Sequence, residues 1–253
     1  MRVLLQRSHH DPNRPDGWSG APGEATFIRQ DIIPTLAMLL EARGVTVTII
    51  EGDYNPGTDT DATWKARNPD VMLDHDLFLT PHYEANVHQQ TGGWFAGRAA
   101  GSTTPQDDDW FLAILRSAYA QIPGVPAQHP EWSNPNVTDY YAFRCTTATT
   151  PGALIELGVG APGAPDHDWL RANNERIAGV LANAICEFLG LEEDMTPETK
   201  AYIDGKFNEL YGAIRASQRR QMRGLDPWTD FPGDADDRPI AAPEQINPSN
   251  GRS

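Results

Sequence analysis

Short apolar runs alternating with longer stretches of helical period leave this chain few architectures. Val3–Gln6, Leu77–Thr80 and Ala153–Leu157 are compact and largely apolar, and Val45–Ile50 is β-branched and alternating. All four read as strands, with Gly93–Gly97 a further candidate. Between them, Ala25–Arg43 carries Phe27, Ile28, Ile32, Ile33, Leu36, Leu39 and Leu40 at helical spacing, and Gly44 follows as a stop. Thr63–Asp74 is a helix that Pro69 can divide in two. Asp107–Gln121 opens on three acids, which suit a helix N-terminus. Asp166–Leu189 is amphipathic with Leu170, Ile177, Val180, Leu181, Ile185 and Leu189 inward. The expected fold class is α/β: a single three-layer α/β/α domain over residues 1–191, built on a mostly parallel mixed sheet.

The rest of the chain differs in kind. Residues 192–223 form a helical extension, with a helix over Thr196–Arg223 whose seam is Ile203, Phe207, Leu210 and Ile214. That seam suits either self-association or docking onto the first domain. Arg215, Arg219, Arg220 and Arg223 form a basic helix C-terminus, favoured by the helix dipole. Residues 224–253, rich in Pro, Asp and Asn, read as a disordered acidic tail.

Composition removes several function classes. A formal charge of −15 would repel a phosphate backbone, so no nucleic-acid partner is expected. No apolar stretch of about 18 residues is present, so no transmembrane segment is expected. The opening MRVLLQRSHHDP lacks an apolar core of signal-peptide length, which implies cytoplasmic synthesis or an already mature chain. Cys145 and Cys186 are too few for a disulfide framework and read as buried free thiols.

Chemistry-bearing residues gather at the strand candidates. His9 and His82 each follow one, Glu24 opens the first long helix, and Glu156 sits inside Ala153–Leu157. Two imidazoles and a carboxylate are the donor types of a zinc site that keeps room for water. Taken singly, each histidine is more often structural, and Glu24 can be a solvated helix-start carboxylate. Glu156 is different: flanked by Ala153, Leu154, Ile155 and Leu157, it is costly to bury without a partner or a function, and is a general-base candidate. His10, Asp11, His75, Glu84 and His88 are secondary candidates, each read first as a surface residue. Pro123–Asn136, Pro-rich and aromatic-bearing, is a candidate groove wall.

Together these segments resemble the zinc-dependent N-acetylmuramoyl-L-alanine amidases of the type-3 family, the peptidoglycan amidases of bacteria and their phages. The family's Gly-His-Gly-Gly turn corresponds to Ser8-His9-His10-Asp11, and its helix-start glutamate to Glu24. Its Ser-Ile-His-Ala-Asn segment corresponds to Thr80–Asn86, and its Val-Glu-Leu-Gly-Phe segment to Ile155–Val159. The match runs in order from Met1 to about Leu191. Loss of the first turn's glycines leaves His9 and His10 both open as the first ligand, with register favouring His9. The His82 loop is slightly enlarged, and Ala161-Pro162-Gly163 replaces the usual Asn-Pro.

The resemblance implies zinc held by His9, Glu24 and His82, Glu156 as general base, and hydrolysis of the muramoyl–L-alanine amide. The missing export signal fits a phage endolysin made without a signal peptide and acting on the cell wall, since a host autolysin would usually be exported. The alternatives are a zinc amidohydrolase of a small N-acyl amino acid, and a non-catalytic peptidoglycan-binding or virion protein.

Overall fold

β1 (Arg2–His9) buries Val3, Leu4, Leu5 and Gln6 without alternation, the pattern of a strand covered on both faces. Beside it run β2 (Thr46–Gly52), β3 (Leu77–Glu84), β4 (Phe95–Gly97) and β5 (Gly152–Val159). The computed structural model describes residues 1–9, 20–52, 54, 58–84, 91–129 and 139–191, and orders these five strands β2-β1-β3-β5-β4. All pairings are parallel except β4 against β5, so the mixed, mostly parallel sheet expected from the sequence is present. The expected helix over Thr196–Arg223, the tail, His10, Asp11, His88 and positions 130–136 of the proline-rich segment lie outside the described residues.

Helices cover both faces. On one side lie α1 (Glu24–Phe27), α2 (Ile33–Glu41), α4 (Pro105–Ala120) and α6 (His167–Phe188), with α6 packed against both α2 and α4. On the other lie α3 (Asp61–Arg67), a 3-10 turn at Pro69–Met72 and α5 (Tyr141–Cys145). There Leu4, Ile50 and Phe78 of the sheet meet Trp64, Val71, Tyr141, Ala142 and Cys145. Pro69 ends the α3 segment as the sequence suggests. Cys145 and Cys186 are both buried free thiols.

The expected single helix over Ala25–Arg43 is instead interrupted. Between α1 and α2 the chain forms a π-helical turn, Ile28–Ile32, closed by the Ile33 N–H bonding to the Ile28 carbonyl. The cause is legible in the spacing. Phe27 and Ile28 are followed five residues later by Ile32 and Ile33, and all four are fully buried, so an extra residue must be absorbed in that turn. Pro34, just inside α2, has no N–H to continue the regular ladder.

Strand order sets the location of any site. β1 connects through α1 and α2 to β2 on one side, while β3 lies on the other, so the connections diverge at the carboxyl ends of β1 and β3. A sheet of this kind opens a crevice there. The last β1–β3 pair is Leu5 with Leu79, and Pro81, without an N–H, lies just beyond it.

Asp166, immediately before α6, ties the same end of the sheet together. Its Oδ2 accepts from the Gly93 N–H at 2.7 Å and the Val159 N–H at 2.9 Å, all buried. Asp166→Ala leaves both donors without an acceptor and should lower the unfolding free energy by about 2–4 kcal/mol. Urea unfolding measures this, and a loss below about 1 kcal/mol would contradict the role.

Candidate metal centre

Each donor reaches the crevice from a different element. His9 is the last residue of β1, and His82 lies near the end of β3 rather than past it. Glu24 is the first residue of α1, delivered by a turn in which Gly23 adopts a left-handed conformation with φ of 80°. A metal-ligating atom from each of His9, Glu24 and His82 lies within 4.8 Å of the others. Among the described residues, the structure therefore brings together the three donors that the sequence singled out, with His9 as the one from β1.

Glu24 sits at the centre of this group. Its side chain is 2% exposed. Oε1 lies 2.8 Å from His82 Nδ1 and 3.7 Å from His9 Nε2, and accepts from the Ser8 hydroxyl. Oε2 accepts from the Ala21 N–H at 2.9 Å. The two imidazoles meet edge to face with centroids 4.9 Å apart. Burial opposes ionisation of Glu24, but the His9 charge and the hydrogen bonds from His82 and Ser8 outweigh it and hold the carboxyl well below its ordinary range. Burial lowers the His9 pKa to about 4, with Glu24 pulling the other way. At neutral pH the group thus offers an ionised carboxylate and a neutral His9 imidazole, the protonation states that metal binding requires. Two imidazoles and one carboxylate are the donor set of a catalytic zinc site, so the residues present fit that ion.

Glu156 stands one strand away, directly paired in register with His82. It is also paired across to Phe95 of β4. Its Oε2 is buried and has no hydrogen-bond partner among the described residues. Burial, then the nearby carboxylates Glu24 and Glu84, raise its pKa far above the usual carboxylate value. A half-buried carboxyl with one buried, unbonded oxygen beside three metal-type donors is the arrangement expected of a group that exchanges protons.

Other expectations change. Glu84 and His75 are buried, not surface residues. His75 Nδ1 lies 2.9 Å from the Leu73 carbonyl, which gives it a local structural partner. Glu84 ends β3 near Glu156. The described part of the Pro123–Asn136 segment bonds to the chain beside β4, where the His129 N–H donates to the Trp94 carbonyl at 2.9 Å.

Sequence reading missed several contributors. Ser8 donates to Glu24, Thr80 lies 2.9 Å from His82 Nε2, and the Tyr140 ring meets the His82 ring edge to face at 5.2 Å. Gly20 is the least replaceable of these. A Cβ there would lie 2.5 Å from Glu24 Oε2 and 2.6 Å from His9 Cδ2. Its only sequence signal is its place four residues before Glu24.

Solved structures with the same architecture are peptidoglycan amidases. The N-acetylmuramoyl-L-alanine amidase AmiC2 of Nostoc punctiforme superposes with a TM-score of 0.56 at 17% identity, covering 75% of this chain and 97% of its own. The amidase of Mycobacterium smegmatis gives 0.54 at 15% identity, over 75% and 97%. The catalytic domain of an endolysin targeting Clostridia difficile gives 0.53 at 14%, over 74% and 97%. This chain has their fold. From sequence alone, no family model and no curated protein matches it.

Because His9 and Glu24 close on Gly20, Gly20→Ala must displace one of them. The variant should bind Zn2+ about tenfold or more weakly in a titration against a competing chelator. Unchanged affinity would mean that Gly20 does not set the spacing of the two ligands.

Proposed function

We propose that this chain is a zinc-dependent N-acetylmuramoyl-L-alanine amidase, hydrolysing the amide between N-acetylmuramic acid and L-alanine in peptidoglycan. One observation carries the reading: His9, Glu24 and His82 converge within 4.8 Å, with the unpartnered Oε2 of Glu156 on the neighbouring strand at the register of His82. The fold shared with peptidoglycan amidases supports the substrate. A muramoyl peptide is an extended chain, and the carboxyl-end crevice between diverging strands is where such a fold receives ligands.

His9, Glu24 and His82 would hold the ion. Bound zinc supplies a Lewis acid for the amide carbonyl and an acidified water at neutral pH. The remaining steps belong to the chain. Glu156 takes the proton of the attacking water on Oε2 as oxygen adds to the carbonyl carbon. It returns that proton to the alanine nitrogen as the C–N bond breaks, and ends ionised as it began. Its high proton affinity, set by burial and by Glu24 and Glu84, makes it a strong base once ionised. A divalent charge held by the three donors would favour that ionised form. Ser8 and the Ala21 N–H hold the Glu24 carboxylate in place throughout.

In this reading the chain acts on the cell wall. The fold it shares with an endolysin catalytic domain supports a phage lytic role. No helix among the described residues is long and apolar enough to cross a membrane.

Mass spectrometry of purified peptidoglycan after digestion tests the reaction. The wild type should release stem peptides beginning at L-alanine, and a chelator should abolish their release. Glu156→Gln should lower turnover by about 10²–10⁴-fold while retaining zinc. Intact glycan–peptide material from zinc-loaded wild type would refute the substrate. Full activity in Glu156→Gln would refute the base.

A further inference from the structure

Tyr140, the residue before α5, lies over the patch of sheet from which His82 and Glu156 both rise. Its ring meets the His82 ring edge to face at 5.2 Å and packs against Phe95 and Leu154. Phe95 is paired in register with Glu156, and Glu156 is itself paired with His82. Leu154 stands two residues before Glu156 on β5. Paired residues, and residues two apart on a strand, share a face of the sheet. Phe95, Leu154, Glu156 and His82 therefore belong to the face that Tyr140 covers. The Phe143 N–H donates to the Tyr140 carbonyl at 3.0 Å and holds the backbone there.

Glu156 Oε2 is thus joined by a second buried polar atom without a bond. The Tyr140 hydroxyl oxygen is buried and makes no hydrogen bond among the described residues. The adjoining Tyr141 phenol perturbs it, from outside hydrogen-bonding geometry. Burial, then Tyr141, then the Glu24 and Glu156 charges push its pKa well above the ordinary phenol value, so the hydroxyl carries its proton. Glu24 acts on Glu156 as well, so both unbonded groups stand near the same carboxylate. A desolvated polar group without a partner costs stability, and each one in a native chain calls for a reason.

We propose that Tyr140 is a further catalytic residue, its hydroxyl donating to the carbonyl oxygen of the scissile amide. The proposal rests on the amidase reading above and adds a residue to it. The two unbonded groups are unlike: the phenol is a donor, and Glu156, once ionised, is an acceptor. An amide answers both. Its oxygen accepts from Tyr140, and its nitrogen is the atom to which Glu156 returns its proton.

As the water oxygen adds, negative charge builds on the carbonyl oxygen. A desolvated donor aimed there binds the charged form more tightly than the planar amide, which is the condition for lowering the barrier. Tyr140 keeps its proton throughout, and proton transfer stays with Glu156. A carbonyl oxygen has two lone pairs, so this donor need not compete with a cation for it. Packing against His82, Tyr141 and Phe143 fixes the phenol through its ring alone, the preorganisation that such a donor requires.

Tyr140→Phe keeps the ring and removes only the hydroxyl. In the zinc-loaded full chain, kcat for release of stem peptides should fall about 10²-fold with KM little changed. A phosphinic analogue, with tetrahedral phosphorus in place of the scissile carbonyl carbon, should bind about 10²-fold more weakly in calorimetry. Zn2+ affinity, measured by chelator competition, should stay at the wild-type value. Because the lost hydroxyl has no partner, the variant should unfold at the same or a higher urea concentration than the wild type. Wild-type kcat and analogue affinity in Tyr140→Phe overturn the proposal. So does a fall in Zn2+ affinity or in urea midpoint that accompanies the loss of activity, since Tyr140 would then act as a support for His82. A zinc-loaded wild type that releases no stem peptides overturns the amidase reading itself, and this proposal with it.

Discussion

A single buried carboxylate organises the business end of this protein. Glu24 has no solvent to stabilise its charge, so its surroundings must do so. They do it with the Ser8 hydroxyl, the Ala21 N–H and two imidazoles drawn from β1 and β3. Each requirement propagates outward. Gly20 must be small to let His9 and Glu24 close. Gly23 must turn left-handed to start α1 with Glu24 pointing back at the sheet. The π-helical turn after α1 reconciles that start with the apolar pairs that α1 and α2 bury.

The same crowding creates an electrostatic problem that a divalent cation would solve. Glu24, Glu84 and Glu156 are neighbours, and burial, joined by the charges of Glu24 and Glu84, drives Glu156 toward its neutral form. A carboxyl held neutral and unpartnered in a crevice is poorly stabilised by the protein alone. In the proposed reading, a cation held by the histidines and Glu24 would reverse the local field and let Glu156 ionise. Metal affinity and base strength are thus set by one arrangement of charges, not by two separate devices.

Much of the fold was legible because apolar periodicity is local. The runs Val3–Gln6, Leu77–Thr80 and Ala153–Leu157 fall on strands of the sheet, and Val45–Ile50 does so from Thr46 onward. What the runs concealed is how far strands continue past their apolar part. β1 reaches His9 and β3 reaches Glu84, because polar side chains facing a lined crevice no longer follow the core pattern. Pro81 would ordinarily argue against a central strand, yet it is tolerated beyond the last β1–β3 pair, Leu5 with Leu79. α5 was missed because five residues are too few to show a period. The site's donors were legible as residue types; their supports were not. Ser8 and His82 are 74 residues apart, and nothing in either segment signals the other.

The central claim is that His9, Glu24 and His82 together bind one zinc ion. A crystal structure of the zinc-loaded chain, with anomalous data collected at the zinc edge, tests it most directly. The account predicts one strong peak about 2.0–2.2 Å from an imidazole nitrogen of each histidine and from a Glu24 oxygen. A peak elsewhere, or none in the crevice of a protein shown to be zinc-loaded, would contradict it.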